Sequence, residues 1–345
     1  MPMNVKIPAT TCIGLICMAL CLALSPMDSH AAAKKHARKA RARTPSVQTS
    51  VTSYGQRPDI LQEADAMALE HGLDPVWVRK TLAQAHYLPG VAKAVLPPPV
   101  GVPKNWNLYR SRFIEPRRIQ AGVAFWKTHQ STLDRAQAQT GVPAEIIIGI
   151  LGVETLYGQH MGNYRVLDAL ATLAFDFPTS HPRAAQRSDY FKSELGQFLR
   201  LVQRNHTEPT HLLGSYAGAM GWPQFMPSSW IKHAVDFDGD GHIDLLGSPV
   251  DAIGSVAHYL KAYGWQQGLA THYPVRFDAA TLDLPALMAP DILPTFSVAS
   301  FLARGAVLQD AALQHPGKLA LIELQNGDDP PQYVAGTDNF YAITR

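Results

Sequence analysis

Between Asp59 and about Thr140 apolar residues return at helical intervals, with Ile60, Ala64, Met67 and Ala68 on one face. Asp74-Pro75 opens a second helix through Trp77, Thr81 and Ala85, because aspartate caps free backbone amides and proline fits a first turn. Leu96-Pro97-Pro98-Pro99 interrupts the pattern, and a longer helix from near Pro116 sets Ile119, Val123, Trp126 and Leu133 on one stripe. From Gly141 to about Gly264 the spacing stays mostly helical, but glycines and polar residues separate the apolar runs, which is where sites tend to sit. After Trp265 the period shortens. Tyr273 to Phe277, Lys318 to Leu324 and Phe340 to Thr344 alternate or are β-branched and aromatic, and Gln325-Asn326-Gly327-Asp328 reads as a turn. The pattern predicts a mainly α chain with a small β subdomain (α+β). Its expected parts are a helical domain at 54–140, a core at 141–265, a β-containing subdomain at 266–335 and a last strand at 336–345.

Composition sharpens this picture at the N-terminus. Lys6 precedes an apolar run from Cys12 to Leu24, and Ser29-His30-Ala31-Ala32-Ala33 follows, the layout of a secretory signal cut after Ala31 or Ala33. The run is short for a membrane span of about 20 residues. A lipid anchor is disfavoured, since Thr11, Ile16 and Leu20 precede the three cysteines where a small residue is required. Cys12, Cys17 and Cys21 all lie in this segment, so the expected mature chain (from about Lys34) has no disulfide, thiolate metal site or cysteine nucleophile. Six basic side chains between Lys34 and Arg43 then form a linker at 34–53 expected to be disordered. Without Lys6, Asp28 and these six cations, 23 Lys and Arg stand against 27 Asp and Glu. A mildly acidic body of this kind argues against nucleic-acid binding.

Three segments carry candidate chemistry. Pro143 opens a helix through Ile146-Ile147-Ile148-Gly149-Ile150-Leu151-Gly152-Val153 that is apolar all round, and Glu154 ends it. A carboxyl at the end of such a helix is desolvated and keeps its proton, the condition for a general acid near neutral pH. The alternative is an exposed glutamate in a last turn. Gly149 and Gly152 cost helix propensity, and close approach of a neighbouring element is the expected return. In Gly214-Ser215-Tyr216-Ala217-Gly218-Ala219-Met220-Gly221-Trp222-Pro223-Gln224, small residues admit a ligand while Ser215, Tyr216, Trp222 and Gln224 offer hydroxyl, aromatic and amide groups suited to sugars. A glycine-rich packing corner is the other reading. Asp236-Phe237-Asp238-Gly239-Asp240-Gly241-His242-Ile243-Asp244 matches the first half of a calcium loop, with Asp236, Asp238 and Asp240 as ligands and His242 through its carbonyl. Position twelve is Gly247 in place of the usual Glu, which leaves Asp251 to close the site.

Together these words closely resemble the lytic murein transglycosylase B family. The resemblance runs from Trp106 to Trp265 through Gly141-Val142-Pro143, Gly152-Val153-Glu154-Thr155, Leu167-Asp168-Ala169-Leu170-Ala171-Thr172-Leu173, Ser215 to Ser229 and Val250-Asp251-Ala252-Ile253-Gly254-Ser255. It implies a lysozyme-like core, Glu154 as sole acid and base, and sugar contacts from Ser215, Gln224, Tyr259, Asn339 and Arg187. It also implies a structural Ca2+ on Asp236, Asp238, Asp240, His242 and Asp251. The expected reaction is non-hydrolytic cleavage of MurNAc-β-1,4-GlcNAc bonds by a periplasmic monomer whose partner is peptidoglycan, with wall-synthesis proteins as further partners. A hydrolytic muramidase using Asp168 or Asp176 as second acid, or a non-catalytic wall binder, are the rival readings. Relatives continue where this chain stops at Arg345, and part of the helical domain is expected to be uncovered there.

Overall fold

The computed structural model describes residues 53–97, 101 and 103–344, so the expected signal and nearly all of the basic linker lie outside the described residues. The chain begins with α1 (Pro58–His71), whose Ile60, Ala64, Met67 and Ala68 are buried as their spacing predicts. α2 (Pro75–Leu82) is capped by Asp74, which accepts from Val76 N, and α3 (Pro89–Ala94) follows. α4 (Trp106–Ser111) is capped by Asn105, and α5 (Pro116–Thr140) by Glu115, whose carboxylate accepts from Arg117 N and Arg118 N. α5 stops at Gly141 in the left-handed conformation, and α6 (Ala144–Thr155) starts after Pro143. Next come β1 (Tyr164–Arg165), α7 (Val166–Phe175), α8 (Ala184–Arg204), β2 (Leu213–Gly214), α9 (Pro227–His233) and α10 (Pro249–Ala262). The remainder is β3 (His272–Pro274), β4 (Arg276–Phe277), α11 (Leu284–Met288), α12 (Val298–Leu302), β5 (Ala306–Val307), β6 (Ala320–Asn326), β7 (Asp329–Gly336) and α13 (Asp338–Ile343).

These elements group into two compact units, and the chain passes between them three times. One unit holds residues 101–157 with 233–344, the other 53–97 with 158–232. The expected breaks at 140 and 265 therefore fall inside a unit. In the first unit α6 packs on α5 and α10. Its sheet is β3-β7-β6, all antiparallel, and β4 pairs with β5 separately. Leu287, Phe301, Leu319, Leu321 and Ala335 close the small core beneath that sheet. In the second unit α7 and α8 pack together, α7 buried along its whole length except Phe175. Glu194 of α8 is buried and accepts from Ser228 N (3.0 Å) and Ser228 Oγ (2.6 Å) at the start of α9.

Three details differ from the sequence pattern. Phe340 to Thr344 is helical, because Thr337 Oγ1 accepts from Asn339 N and starts α13; the expected final strand at 336–345 is absent. Tyr273 to Phe277 is split, β3 and β4 belonging to different sheets. On α5, Leu133 is buried, but Ile119, Val123 and Trp126 are exposed, while Gly122 and Phe125 face inward. Among the described residues no single helix is long and apolar enough to cross a membrane; α5 and α6 reach that length together but meet at 115°.

The two glycines of α6 are not equivalent. A Cβ on Gly149 meets nothing within 4 Å, whereas one on Gly152 overlaps the Tyr157 hydroxyl. Gly149→Ala is thus expected to stabilise the protein by up to about 1 kcal/mol through helix propensity. Gly152→Ala is expected to destabilise it by about 1–3 kcal/mol through overpacking. Urea unfolding of both variants checks the opposite signs.

Candidate active site

Glu154 lies in the last turn of α6, half-buried, and burial pushes its carboxyl up to about 8. Among the described residues no side chain or backbone amide donates a hydrogen bond to it and no cation pairs with it. That distinguishes it from the buried Glu194, whose upward shift is opposed by the Ser228 donors. The protonated form of Glu154 is favoured because nothing nearby compensates the charged one.

Tyr109 of α4 is an ionisable neighbour of Glu154: its hydroxyl is pushed up by burial and then by the Glu154 charge. Tyr109 stacks with Trp106 (6.1 Å) and tilts against Phe113 (4.9 Å). The β6–β7 turn fixes this helix, since Asn326 Oδ1 accepts from Asn107 N at 3.1 Å and Gly327 N donates to Lys104 O at 2.8 Å. Sequence reading placed the turn but missed Tyr109 as a site residue. The signal was there in aromatics at 106, 109 and 113, which share one helical face.

In the second unit the 214–225 segment is a tight double turn. Ser215 N donates to Ala219 O at 2.8 Å, and Met220 and Phe225 exchange both backbone hydrogen bonds. Gly218 (φ 84°) and Gly221 (φ 70°) supply the left-handed turns, and Gln224 adopts φ 52°. Ser215 is buried and its Oγ accepts from Ala217 N and Ala219 N, which leaves the hydroxyl proton without an acceptor among the described residues. Gln224 donates through Nε2 to Met161 O (3.1 Å) and Gly221 O (2.9 Å), so its carbonyl oxygen remains for another donor. Tyr216 beside them is half-buried. Arg187 on α8 is buried, with its guanidinium over the Phe191 ring at 5.3 Å and the Tyr190 ring at 5.7 Å.

Two expected sugar contacts fall in the first unit. Tyr259 is half-buried in a cluster with Tyr263 (4.5 Å) and His233 (5.1 Å). Asn339 is fully buried and gives both amide hydrogens to Gln266 O and Leu269 O, while Oδ1 accepts from Gln266 N at 2.7 Å. It therefore braces the 266–269 turn, and the expected sugar contact finds no free amide hydrogen there.

The acidic loop also differs from its reading in one respect. Asp236, Asp238 and Asp251 offer carboxylate oxygens that all lie within 4.8 Å of one another, and Asp240 is not in this group. Asp240 instead accepts from His242 N at 2.8 Å. Asp251, the ligand the sequence left least defined, is central: buried at the start of α10, it accepts from Phe237 N, Asp238 N and Asp244 N. Burial raises its carboxyl, and the neighbouring Asp238 charge adds to this. Three gathered carboxylates with oxygen-only donors fit a hard divalent cation. Arg135 of α5 ties the loop down, its guanidinium 4.0 Å from the Phe237 ring and donating to Phe237 O at 2.6 Å.

The chain is thus mainly helical, with a desolvated and uncompensated carboxyl at the end of α6 and an acidic loop leading into α10, which packs on α6. The chain matches the transglycosylase SLT domain family over residues 56–345 and belongs to it. It is 40% identical over 308 residues to membrane-bound lytic murein transglycosylase B of Escherichia coli (strain K12), covering 85% of this chain and 79% of that protein. Soluble lytic transglycosylase SltB1 from Pseudomonas aeruginosa superimposes with a TM-score of 0.71 at 39% identity, covering 84% of this chain and 92% of that one. The Escherichia coli lytic transglycosylase Slt35, solved in complex with calcium, gives 0.69 at 40% identity, covering 84% and 87%. The chain is accordingly an enzyme that cleaves murein as a lytic transglycosylase.

Since the folded Glu154 carboxyl titrates at about 8 against an ordinary 4.5, the folded state loses stability as pH rises between those values, and below 4.5 the group contributes nothing. Glu154→Gln removes this dependence. The variant is expected to melt above the wild type at pH 9 and beside it at pH 4, as read by calorimetry.

Proposed function

We infer that Glu154 is the single acid and base of the cleavage and that the product carries a 1,6-anhydromuramyl end. The observation that carries this is a desolvated carboxyl that no hydrogen-bond donor or cation among the described residues faces. Protonated Glu154 gives its proton to the glycosidic oxygen between MurNAc and GlcNAc as that bond to C1 breaks, and the muramyl acetamide stabilises the cationic carbon. The carboxylate left behind takes the proton of the same sugar's C6 hydroxyl, whose oxygen then bonds to C1. Acid and base are one residue used twice, and no water is consumed. Hydrogen-bonding groups of Ser215 and Gln224, with Tyr216, Arg187 and Tyr259, are assigned to gripping sugar.

Ordinary glycosidases need a second carboxylate. Asp176, one candidate for that part, accepts both Arg57 Nη1 bonds (2.7 and 2.8 Å) and the Tyr54 hydroxyl (2.6 Å). Asp168, the other, is buried, accepts from His86 N at 3.0 Å and pairs with Arg165 at 3.5 Å. Both are engaged in holding their own unit together, which favours the transglycosylase over the hydrolase. The place of action is the periplasm, by the secretory layout of residues 1–33 and the murein substrate.

Asp236, Asp238 and Asp251 are assigned to a structural calcium ion, with Asp240 and the His242 carbonyl completing its shell. The calcium complex of Slt35 supports this choice of metal. The ion supplies bracing of the loop and no step of the chemistry. Calcium is expected to raise the melting temperature and EDTA to lower it, and Asp251→Asn should abolish that response.

Mass spectrometry of a peptidoglycan digest tests the reaction: anhydro ends are expected, and reducing ends would replace this reading by the hydrolase. Glu154→Gln should keep its fold and lose roughly 10²- to 10⁴-fold in rate. In the wild type the rate should fall about tenfold per pH unit above about 8, since the acid must be protonated.

A further inference from the structure

Among the described residues no group grips the Glu154 carboxyl, so its aim is inherited from the backbone that ends α6. Leu156, Tyr157 and Gly158 are left-handed in succession (φ 49°, 57° and 78°), and two of the three carry a Cβ, for which this region is uncommon. Such a conformation survives only where its surroundings over-determine it. Two hydrogen bonds fold the end back, Leu156 N to Gly152 O at 3.2 Å and Tyr157 N to Leu151 O at 3.1 Å.

The third tie is the Tyr157 side chain. Its ring stacks on Phe125 of α5, with centroids 5.3 Å apart and planes at 27°. Its hydroxyl end enters a slot made by two glycines, Gly122 of α5 and Gly152 of α6; a Cβ on either would overlap that hydroxyl. Arg118 of α5 donates to Gly152 O, the same carbonyl that receives Leu156 N. The slot gives a reason for a glycine inside each helix, where each costs helix propensity.

We propose that Tyr157 is a positioning residue for murein cleavage, its ring wedged between Gly122 and Gly152 to fix the last turn of α6 and close the flank of Glu154 to water. This rests on Glu154 being the acid and base. Tyr157 does not touch the reacting atoms; it acts through the carboxyl three residues before it. Of the other ionisable groups at this end of α6, Tyr109 faces Glu154 and is pushed further above neutral, and Arg118 faces Tyr157.

The test is steady-state kinetics of anhydro-product release from labelled murein across pH. Tyr157→Ala should lower kcat roughly 10- to 100-fold with KM little changed, because small misplacements of a catalytic group are costly. Its alkaline limb should move to lower pH as water reaches the carboxyl. Tyr157→Phe keeps the ring and should stay near wild type. Gly122→Ala puts a methyl where the hydroxyl sits and should reproduce both effects, and adding Tyr157→Phe to it should restore the rate. Should Tyr157→Ala fail to fold, the Gly122→Ala pair decides alone. A wild-type kcat and alkaline limb in Tyr157→Ala, or no recovery in the double variant, overturns the proposal. Cleavage by Glu154→Gln would instead remove the acid itself, whatever the Tyr157 variants do.

Discussion

A carboxyl group shielded from water and faced by no donor holds its proton, and the architecture around α6 keeps Glu154 in that condition. The helix is apolar enough to be driven against α5 and α10 by burial alone, and its end is turned back sharply so that the acid does not run out into solvent. Glu194 shows the other outcome in the same chain. Buried more fully, it is compensated by Ser228 and serves as a tie between helices. Burial raises both carboxyls, and among the described residues the hydrogen bonds from Ser228 separate the compensated one from the uncompensated one.

The supports of α6 reach well beyond its own segment. Arg135 joins the acidic loop to α5, Phe237 rests on Gly254 of α10, and Trp265 Nε1 donates to Gly141 O at the corner between α5 and α6. From the other side the β6–β7 turn fixes α4 and so Tyr109. The small sheet thus holds α4, and the acidic loop holds α5 and α10, the two helices against which α6 packs. Neither need contribute a reacting group.

Much of this was legible in the sequence because it depends on local pattern. The α1 face, the Pro143 start, the turn at 325–328 and the Asp/Gly loop all follow from spacing and capping. What was hidden involved groups without a hydrophobic signature. Gly122 turns toward the interior precisely where a side chain is absent, so an apolar count assigned that face to Ile119, Val123 and Trp126, which are exposed. Phe340 to Ile343 alternates like a strand, yet the cap at Thr337 fixes its first turn as helix. The desolvation of Glu154 was readable from its apolar helix. The engagement of Asn339 depends on hydrogen bonds to residues some seventy positions away, and the gathering of Asp251 rather than Asp240 with Asp236 and Asp238 depends on how the loop folds onto α10, neither of which a spacing rule encodes.

The interleaved path of the chain has a consequence for biogenesis. α6 emerges early in synthesis, but α10, against which it packs, follows only after the whole of 158–232 has been made. Closing so long a loop precedes any reward from the contacts it brings together. The acid's dry environment is therefore among the later things to form, and a nascent or partly threaded chain carries Glu154 as an ordinary ionised glutamate.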